Sequence, residues 1–331
     1  LNFITDLQAC PRAIAPEHSL NFRLGASAIS KHSGSRFPFF FEGDVMISAQ
    51  QAQLYARHGF VVVDNIFDAE KIGEAIRAID ELLDPSNLGK AFEMEPQDGA
   101  TVRRIWSPTQ KHDVFERLAA DPALLDCVQK LIGDDVLFHY SKINMKGPKV
   151  GSVVKWHQDF SYYPHTNSDL VTALIFLDDA TRENGCLRVI PGSHRRGLRS
   201  HDIDGFFRGT VSDVVESEAV EVEVKAGGVL FLHCLTLHAS ERNTSDLPRR
   251  TFLPAYRAAD AFPIYFGPHA AHNEPGVRLL RGQPARVARV EAGLHYLPIA
   301  ERDFGSLYEV QEGSHLKKPM SDMKSAGYAV A

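Results

Sequence analysis

Apolar and polar residues repeat with two different periods along this chain, and the change falls near residue 136. Before it, the spacing is helical. Ser48 precedes Ala49-Gln50-Gln51-Ala52, with Gln51 three residues on, which is the arrangement of a capping box. That helix is expected to stop at Gly59. Phe60-Val61-Val62-Val63 is short and β-branched and predicts a buried strand. Asp68 then offers an N-cap. Ile72, Ala75, Ile76, Ile79, Leu82 and Leu83 fall on one face of a 3.6-residue period. A further helix is expected over Pro122–Leu131, ended by Gly133. Residues 1–44 read as irregular, with Phe37-Pro38-Phe39-Phe40-Phe41 available to pack on a body formed later in the chain.

From Val136 onward the texture is that of short strands. The β-prone runs are Val136–Met145, Val153–Trp156, Leu170–Leu177, Cys186–Ile190, Val220–Val224, Val229–Cys234 and Thr251–Tyr256. Gly147-Pro148, Asn184-Gly185, Pro191-Gly192 and Gly227-Gly228 separate them as turns. Strands at this pitch, with no long helix between them, predict an antiparallel jelly roll or barrel covered on one face by the earlier helices. No repeat or linker forces a cut, so residues 1–331 are read as one domain. It has an N-terminal segment with supporting helices (1–135), a jelly-roll core (136–258) and a C-terminal extension (259–331). The extension mixes Pro268-His269-Ala270-Ala271-His272 with a basic stretch over Arg278–Arg289, and is expected to form a lid or an oligomer contact.

Charge and cysteine content narrow the function. Lys and Arg number 36 against 42 Asp and Glu, a net charge of −6, which gives no support for binding a phosphate backbone. No run of about 18 uncharged apolar residues occurs, so no membrane span is expected. Cys10, Cys127, Cys186 and Cys234 are scattered and form no CxxC. That spacing argues against a zinc knuckle or a disulfide scaffold and points to a reducing, cytoplasmic setting. Leu1 is not an initiator Met, so the chain reads as trimmed, and its start has no signal-peptide pattern.

Chemistry concentrates in Trp156-His157-Gln158-Asp159-Phe160. In a strand, alternate side chains share a face, so His157 and Asp159 point together and Gln158 opposes them. An isolated His-x-Asp is more often a hydrogen-bonded pair than a metal site. A second stretch changes that balance. Val229–Cys234 ends in His233, and His238 follows in Leu237-His238-Ala239-Ser240, 79 residues after Asp159. A histidine returned from there completes two imidazoles and one carboxylate, a facial set that leaves positions on Fe(II) open for a co-substrate and O2. His233 and His238 differ by five, so strict alternation puts them on opposite faces, and composition does not choose between them. Pro248-Arg249-Arg250 opens the strand Thr251-Phe252-Leu253, where an arginine can pair bidentately with a carboxylate.

Taken together, these segments resemble the phytanoyl-CoA dioxygenase family of Fe(II)/2-oxoglutarate oxygenases over residues 136–258. The likeness is carried by Trp156-His157-Gln158-Asp159, Leu177-Asp178-Asp179-Ala180-Thr181, Glu183–His194, His238-Ala239-Ser240, Asn243 and Pro248-Arg249-Arg250. It implies a mainly β fold with flanking helices around a double-stranded β-helix (jelly-roll, cupin-like) core. It selects His238 over His233, which makes His157, Asp159 and His238 the iron ligands. It implies that Arg249, eleven residues beyond His238, anchors 2-oxoglutarate with help from Ser240, and that Asn144 and Thr172 also contact the co-substrate. His194 is read as closing a loop. The implied reaction uses Fe(II), 2-oxoglutarate and O2 to hydroxylate an aliphatic C–H, releasing succinate and CO2. Halogenating relatives lack the carboxylate that Asp159 supplies.

The substrate is less legible. Lys142, Trp156, Phe160 and Tyr162 are candidate contacts, and an aromatic and basic lining suits an anionic or amphiphilic small molecule. Tyr163, His165 and Arg103-Arg104 also lie near the metal strands and belong to that candidate lining, although Tyr162 and Tyr163 are more often packing residues and Arg103-Arg104 more often a solvated turn. The partner is expected to be a small metabolite, with no nucleic acid and no membrane; oligomerisation stays open. Two alternatives are a jelly roll that binds metal without catalysis and an acyl-CoA hydroxylase of the same family, though no long basic patch for a CoA tail is evident.

Overall fold

Residues 46–84, 92–96, 98–265, 275–293 and 295–299 are described by a computed structural model. The Phe37–Phe41 run, Cys10, the Pro268–His272 tract and the tail from residue 300 lie outside the described residues.

The helices form where the spacing places them. Helix α1 (Ala49–His58) has the full capping box: Gln51 N–H donates to Ser48 Oγ at 3.2 Å and Ser48 N–H donates to Gln51 Oε1 at 2.9 Å. It ends at Gly59, whose φ of 83° is left-handed and whose missing Cβ leaves room for Thr236 and His194. In α2 (Ala69–Leu82), Asp68 Oδ1 accepts from Lys71 N–H at 2.9 Å, and Ile72, Ala75, Ala78 and Ile79 are buried. A short helix α3 (Asp113–Ala119), which no periodicity flagged, precedes α4 (Pro122–Ile132).

The strands build two sheets. The larger runs in the order β1 (Phe60–Val63), β11 (Val229–His233), β6 (Leu170–Phe176), β13 (Arg249–Ala258), β4 (Val136–Lys146), β3 (Val102–Trp106) and β2 (Phe92–Met94), with β14 (Arg278–Arg281) also paired to β4. The smaller runs β10 (Val220–Val222), β7 (Leu187–Val189), β12 (His238–Ser240) and β5 (Val154–His157). A two-stranded ribbon, β8 (Asp202–Ile203) with β9 (Phe206–Phe207), stands apart. The named pairings are antiparallel, and the architecture is the expected jelly roll.

Alternation divides the larger sheet between two cores. Val171, Ala173 and Ile175 of β6, with Val61, Ile143, Phe231 and Phe252, pack against the helices. Leu174 and Phe176, with Phe60, Leu230 and Leu232, point the other way and meet Leu187, Val189 and Val222 of the smaller sheet. The strands are therefore apolar on both faces, which is why they read as continuous hydrophobic runs.

Two features differ from expectation. Residues before 136 contribute β2 and β3 to the larger sheet besides supporting helices. Arg103 and Arg104 are not a solvated turn: they lie in β3, 6% and 2% exposed. Pairing across the strands holds Arg104 in place. Arg104 is directly opposite Glu93 in the β2–β3 register and opposite Asn144 in the β3–β4 register. Among the described residues, no helix is long and apolar enough to cross a membrane.

Candidate active site

The centre of the site is set by one strand pair. In the β12–β5 register His238 stands opposite His157, and their rings lie 4.1 Å apart between centroids. Strand β5 ends at His157. Gln158 remains extended (φ −118°, ψ 126°), so Asp159 returns to the face of His157, but Asp159 opens a 3-10 turn, Asp159–Ser161, instead of continuing the strand. Phe160 N–H donates to Cys234 O at 3.0 Å and ties that turn to the end of β11. Asp159 Oδ1 lies 3.5 Å from His157 Nε2 and 3.8 Å from His238 Nε2. All three side chains are buried, and their ligand atoms lie within 4.8 Å of one another.

The imidazoles are oriented to ligate. His157 Nδ1 lies 2.8 Å from Lys155 O, and His238 Nδ1 lies 2.9 Å from Thr236 O. A carbonyl can only accept, so each Nδ1 carries the proton and each Nε2 turns a lone pair toward Asp159. Burial lowers the His238 pKa to about 3, with the neighbouring His157 adding to the effect, so the ring is neutral at ordinary pH. For Asp159, burial opposes ionisation. The charge of Lys142 outweighs it and holds the carboxyl well below the usual carboxylate range. Two imidazole nitrogens and a carboxylate oxygen in this arrangement fit a ferrous ion.

Residues around the cluster fix it. Gln158, fully buried, donates from Nε2 to Gly197 O (2.9 Å) and Leu235 O (2.6 Å) and accepts at Oε1 from Arg199 N–H (2.8 Å). Its backbone N–H donates to His201 Nε2 at 2.9 Å. The Glu183–His194 stretch works in the same way. Asn184 shapes its turn by donating to Asp179 O and accepting from Thr181 N–H. Ser193 Oγ accepts from Leu237 N–H at 2.8 Å, and Ile190 N–H donates to Leu237 O at 3.0 Å. Together they hold the residue before His238 from both its polar groups.

A cavity of about 710 Å3, counting the space at its mouth, opens beside His157, Asp159 and His238 and extends to Arg249. Arg249 is buried, and burial lowers its pKa only to about 10, so it stays charged at neutral pH. Its Nη1 donates to Gly185 O at 2.5 Å, while Nε has no protein partner. Gly185 is left-handed (φ 79°), and a Cβ there would strike Glu241 O, so only glycine brings this carbonyl to the guanidinium. Ser240 and Thr251 line the same cavity, and the Thr251 hydroxyl is also buried without a partner. Buried polar groups left unsatisfied by the protein are costly, and an Nε–H donor near a hydroxyl fits a carboxylate. Arg250 points elsewhere: its Nε and Nη2 reach the Asp178 carboxylate at 2.9 and 2.7 Å.

The other sequence candidates fall into separate places. Asn144 lines the cavity and accepts from Arg104 Nε at 2.8 Å. Lys142 lines it too, 5.5 Å from the Tyr140 ring centre. Thr172 lies on the metal side, where its hydroxyl donates to Asp159 Oδ2 at 3.4 Å. Trp156 faces away from His157 and packs with Ile190, Val211, Leu237 and Ala239 under the Arg188 guanidinium. Phe160 is buried among Tyr140, Tyr163 and Leu170. Tyr162 meets His157 edge-on at 6.0 Å, and its hydroxyl donates to Gly209 O at 2.7 Å. His233 turns toward Tyr55 and His194, away from the ligands, and His194 Nε2 sits 3.1 Å from Ala56 O. Arg103 and Arg104, which the sequence offered as basic lining but weighed toward a solvated turn, do line the cavity; sequence reasoning missed Lys146 and Thr251, and the alternation of 142, 144 and 146 along β4 was the available signal for the first.

Comparison with known proteins agrees with this geometry. One relative, from Stutzerimonas stutzeri, is named a probable alpha-ketoglutarate-dependent hypophosphite dioxygenase; it is 31% identical over 65% of this chain and 80% of its own. The ectoine dioxygenase of Sphingopyxis alaskensis is 31% identical over 76% of this chain and 88% of its own. The crystal structure of EctD from S. alaskensis with 2-oxoglutarate and 5-hydroxyectoine superposes with a TM-score of 0.58 at 29% identity, covering 77% of this chain and 90% of that one. The family model described as phytanoyl-CoA dioxygenase (PhyH) matches residues 55–251, a stretch that runs from α1 through His157, Asp159 and His238 to Thr251. The chain therefore belongs to the phytanoyl-CoA dioxygenase family and is a 2-oxoglutarate-dependent dioxygenase.

Proposed function

We propose that His157, Asp159 and His238 hold the iron, that Arg249, Ser240 and Thr251 receive the far carboxylate of 2-oxoglutarate, and that the enzyme hydroxylates an aliphatic C–H of a small molecule. The observation that carries this reading is the buried Arg249 Nε–H, left without a protein acceptor in the cavity that the three ligands border. When bound, iron supplies the O2 chemistry that couples decarboxylation of 2-oxoglutarate to oxidation of the substrate.

The chain's own groups do the positioning. Arg249 offers a charge-assisted hydrogen bond worth roughly twice a neutral one. Thr172 fixes one oxygen of Asp159, which leaves the other facing both imidazoles. Leu174, Leu187, Leu232 and Leu253 form an apolar wall of the same cavity. That wall limits water near the reacting atoms and strengthens the electrostatics between the ligands and the anchor. Hypophosphite and ectoine, named for the relatives above, are both small polar molecules, which supports a compact substrate.

The test is an anaerobic titration. Adding 2-oxoglutarate to the Fe(II) protein should produce a weak visible charge-transfer band that saturates at one equivalent. A flat titration would favour a metal-binding jelly roll without this chemistry.

A further inference from the structure

The strand register places a row of cations on one wall of the cavity. On β4, alternate residues Lys142, Asn144 and Lys146 face inward. Across the sheet Lys142 pairs with Trp106 and Leu253, Asn144 with Arg104 and Thr251, and Lys146 with Arg249. The co-substrate anchor therefore lies at one end of the row and Lys142 toward the other, where its charge acts on Asp159 and His238.

The charges along this wall do not balance. The cavity is lined by five cationic side chains, Arg103, Arg104, Lys142, Lys146 and Arg249, and by two carboxylates, Glu95 and Asp159. Glu93 stands behind the arginines, 2.9 Å from Arg104 Nη1 and 3.7 Å from Arg103 Nε. Counting it leaves two positive charges in excess. A ferrous ion and a 2-oxoglutarate dianion cancel each other, so binding both does not remove that excess. Lys146 is buried and held by the backbone: its ammonium donates to Ser152 O and Glu241 O, and burial lowers its pKa well below the usual lysine range. With Lys146 counted as neutral, one positive charge still remains for whatever enters last.

Building on the 2-oxoglutarate reading above, we propose that the substrate is a compact anion bearing a carboxylate, phosphonate or related oxyanion, and that Lys142 and Arg104 receive that group. Arg104 is preorganised for it. Its Nε donates to Asn144 at 2.8 Å, its Nη1 to Glu93 at 2.9 Å, and its guanidinium stacks 5.0 Å from the Trp106 ring centre. A guanidinium carries five donors, and these two bonds leave others to a ligand. Lys142, two steps along β4 from Asn144, supplies a mobile point charge nearer the metal ligands.

The experiment uses the full chain, anaerobic, loaded with Fe(II) and 2-oxoglutarate. Methylphosphonate, butyrate and the neutral butyramide are titrated by calorimetry while the visible band reports on the co-substrate. Both anions should bind at least about tenfold more tightly than the amide, as expected of a charge-assisted hydrogen bond in a partly dry site. The better of the two anions identifies the headgroup. Lys142→Met should remove that preference and leave the affinity for 2-oxoglutarate within about threefold. Arg104→Met is read the same way if it folds. Lys142 is the less buried of the two, so its variant carries the test by itself.

Equal binding of butyrate and butyramide overturns the proposal. So does loss of 2-oxoglutarate affinity in Lys142→Met with the anion preference intact, and so does displacement of the co-substrate band by the added anions. Absence of the band before any anion is added instead defeats the co-substrate reading, so the two failures are distinguishable.

Discussion

The metal end and the basic wall of the same cavity are built on opposite principles. At the metal end, the two histidines, on neighbouring strands, are aimed by bonds to the backbone, Lys155 O behind His157 and Thr236 O behind His238, while Asp159 sits in the turn that follows β5. At the wall, Arg103 and Arg104 are held by side chains from elsewhere in the chain, Glu93 on β2 and Asn144 on β4. Backbone-aimed ligands tolerate sequence change around them as long as the strand pairing survives. A wall of paired charges does not, because removing one member leaves the other buried without a partner. On that division the chemistry belongs to the metal end, and the wall is the part that selects what it acts on.

The largest effect should come from removing the charged ligand. Asp159→Ala leaves two neutral imidazoles facing each other and should abolish iron-dependent succinate release, with loss of bound iron by metal analysis. Turnover retained in that variant would end the metal assignment. Next is the anchor. Arg249→Met leaves a co-substrate carboxylate without its buried counter-charge, a loss of roughly 2–5 kcal/mol or about 30-fold and more in affinity. The signature is a raised KM for 2-oxoglutarate with iron content unchanged. If iron is lost as well, the two ends of the cavity are not independent and the contrast between them fails.

How far the sequence reached follows the same division. His157 and Asp159 were legible because the metal demands those residue types, and one extended residue, Gln158, preserved their shared face. The choice between His233 and His238 could not be made from alternation. The chain leaves β11 at His233, turns through Thr236, and enters the other sheet at His238, so strand parity does not carry across. Only the family likeness decided it. The short strand β12 went unseen because three residues give no period. Arg103 and Arg104, offered as lining, were weighed toward a solvated turn for a related reason. A Val-Arg-Arg-Ile-Trp run is read as exposed unless its partners are known, and those partners lie 11 and 40 residues from Arg104 in sequence. Asn184 and Ser193 were visible as part of a motif, but their task of shaping the turn and gripping Leu237 became clear only in three dimensions.

A milder perturbation probes the metal end through its supports. Gln158 touches no ligand through its side chain, yet it ties the segment between two ligands to Gly197, Leu235 and Arg199. Gln158→Ala should lower iron affinity about tenfold, the size seen when groups behind metal ligands are removed. The 2-oxoglutarate KM measured at saturating iron should stay near that of the wild type. A change in KM without a change in iron affinity would place Gln158 in the wall's service instead.

The smallest expected effect is a slope of stability against pH. Burial lowers the pKa of His201 to about 4, of His165 to about 4 and of His233 to about 3, against an ordinary value of 6.5. Between those values the unfolded chain binds protons that the folded one refuses. Stability is therefore fully present above about pH 6.5 and declines as pH falls toward 4, by at most about 1.4 kcal/mol per pH unit for each histidine. His201 matters most to the comparison because its Nε2 accepts from Gln158 N–H, and its Nδ1, 2.8 Å from Arg199 O, carries the proton. Protonating Nε2 destroys that acceptor at the metal end and leaves the wall untouched. Thermal melts of the iron-free protein between pH 7 and 5 should show the midpoint falling by a few degrees per pH unit. His201→Gln, which cannot titrate, should flatten part of that slope. His238 titrates in both proteins and cancels from the difference, so an unchanged slope would mean that His201 does not support the metal end in its neutral form.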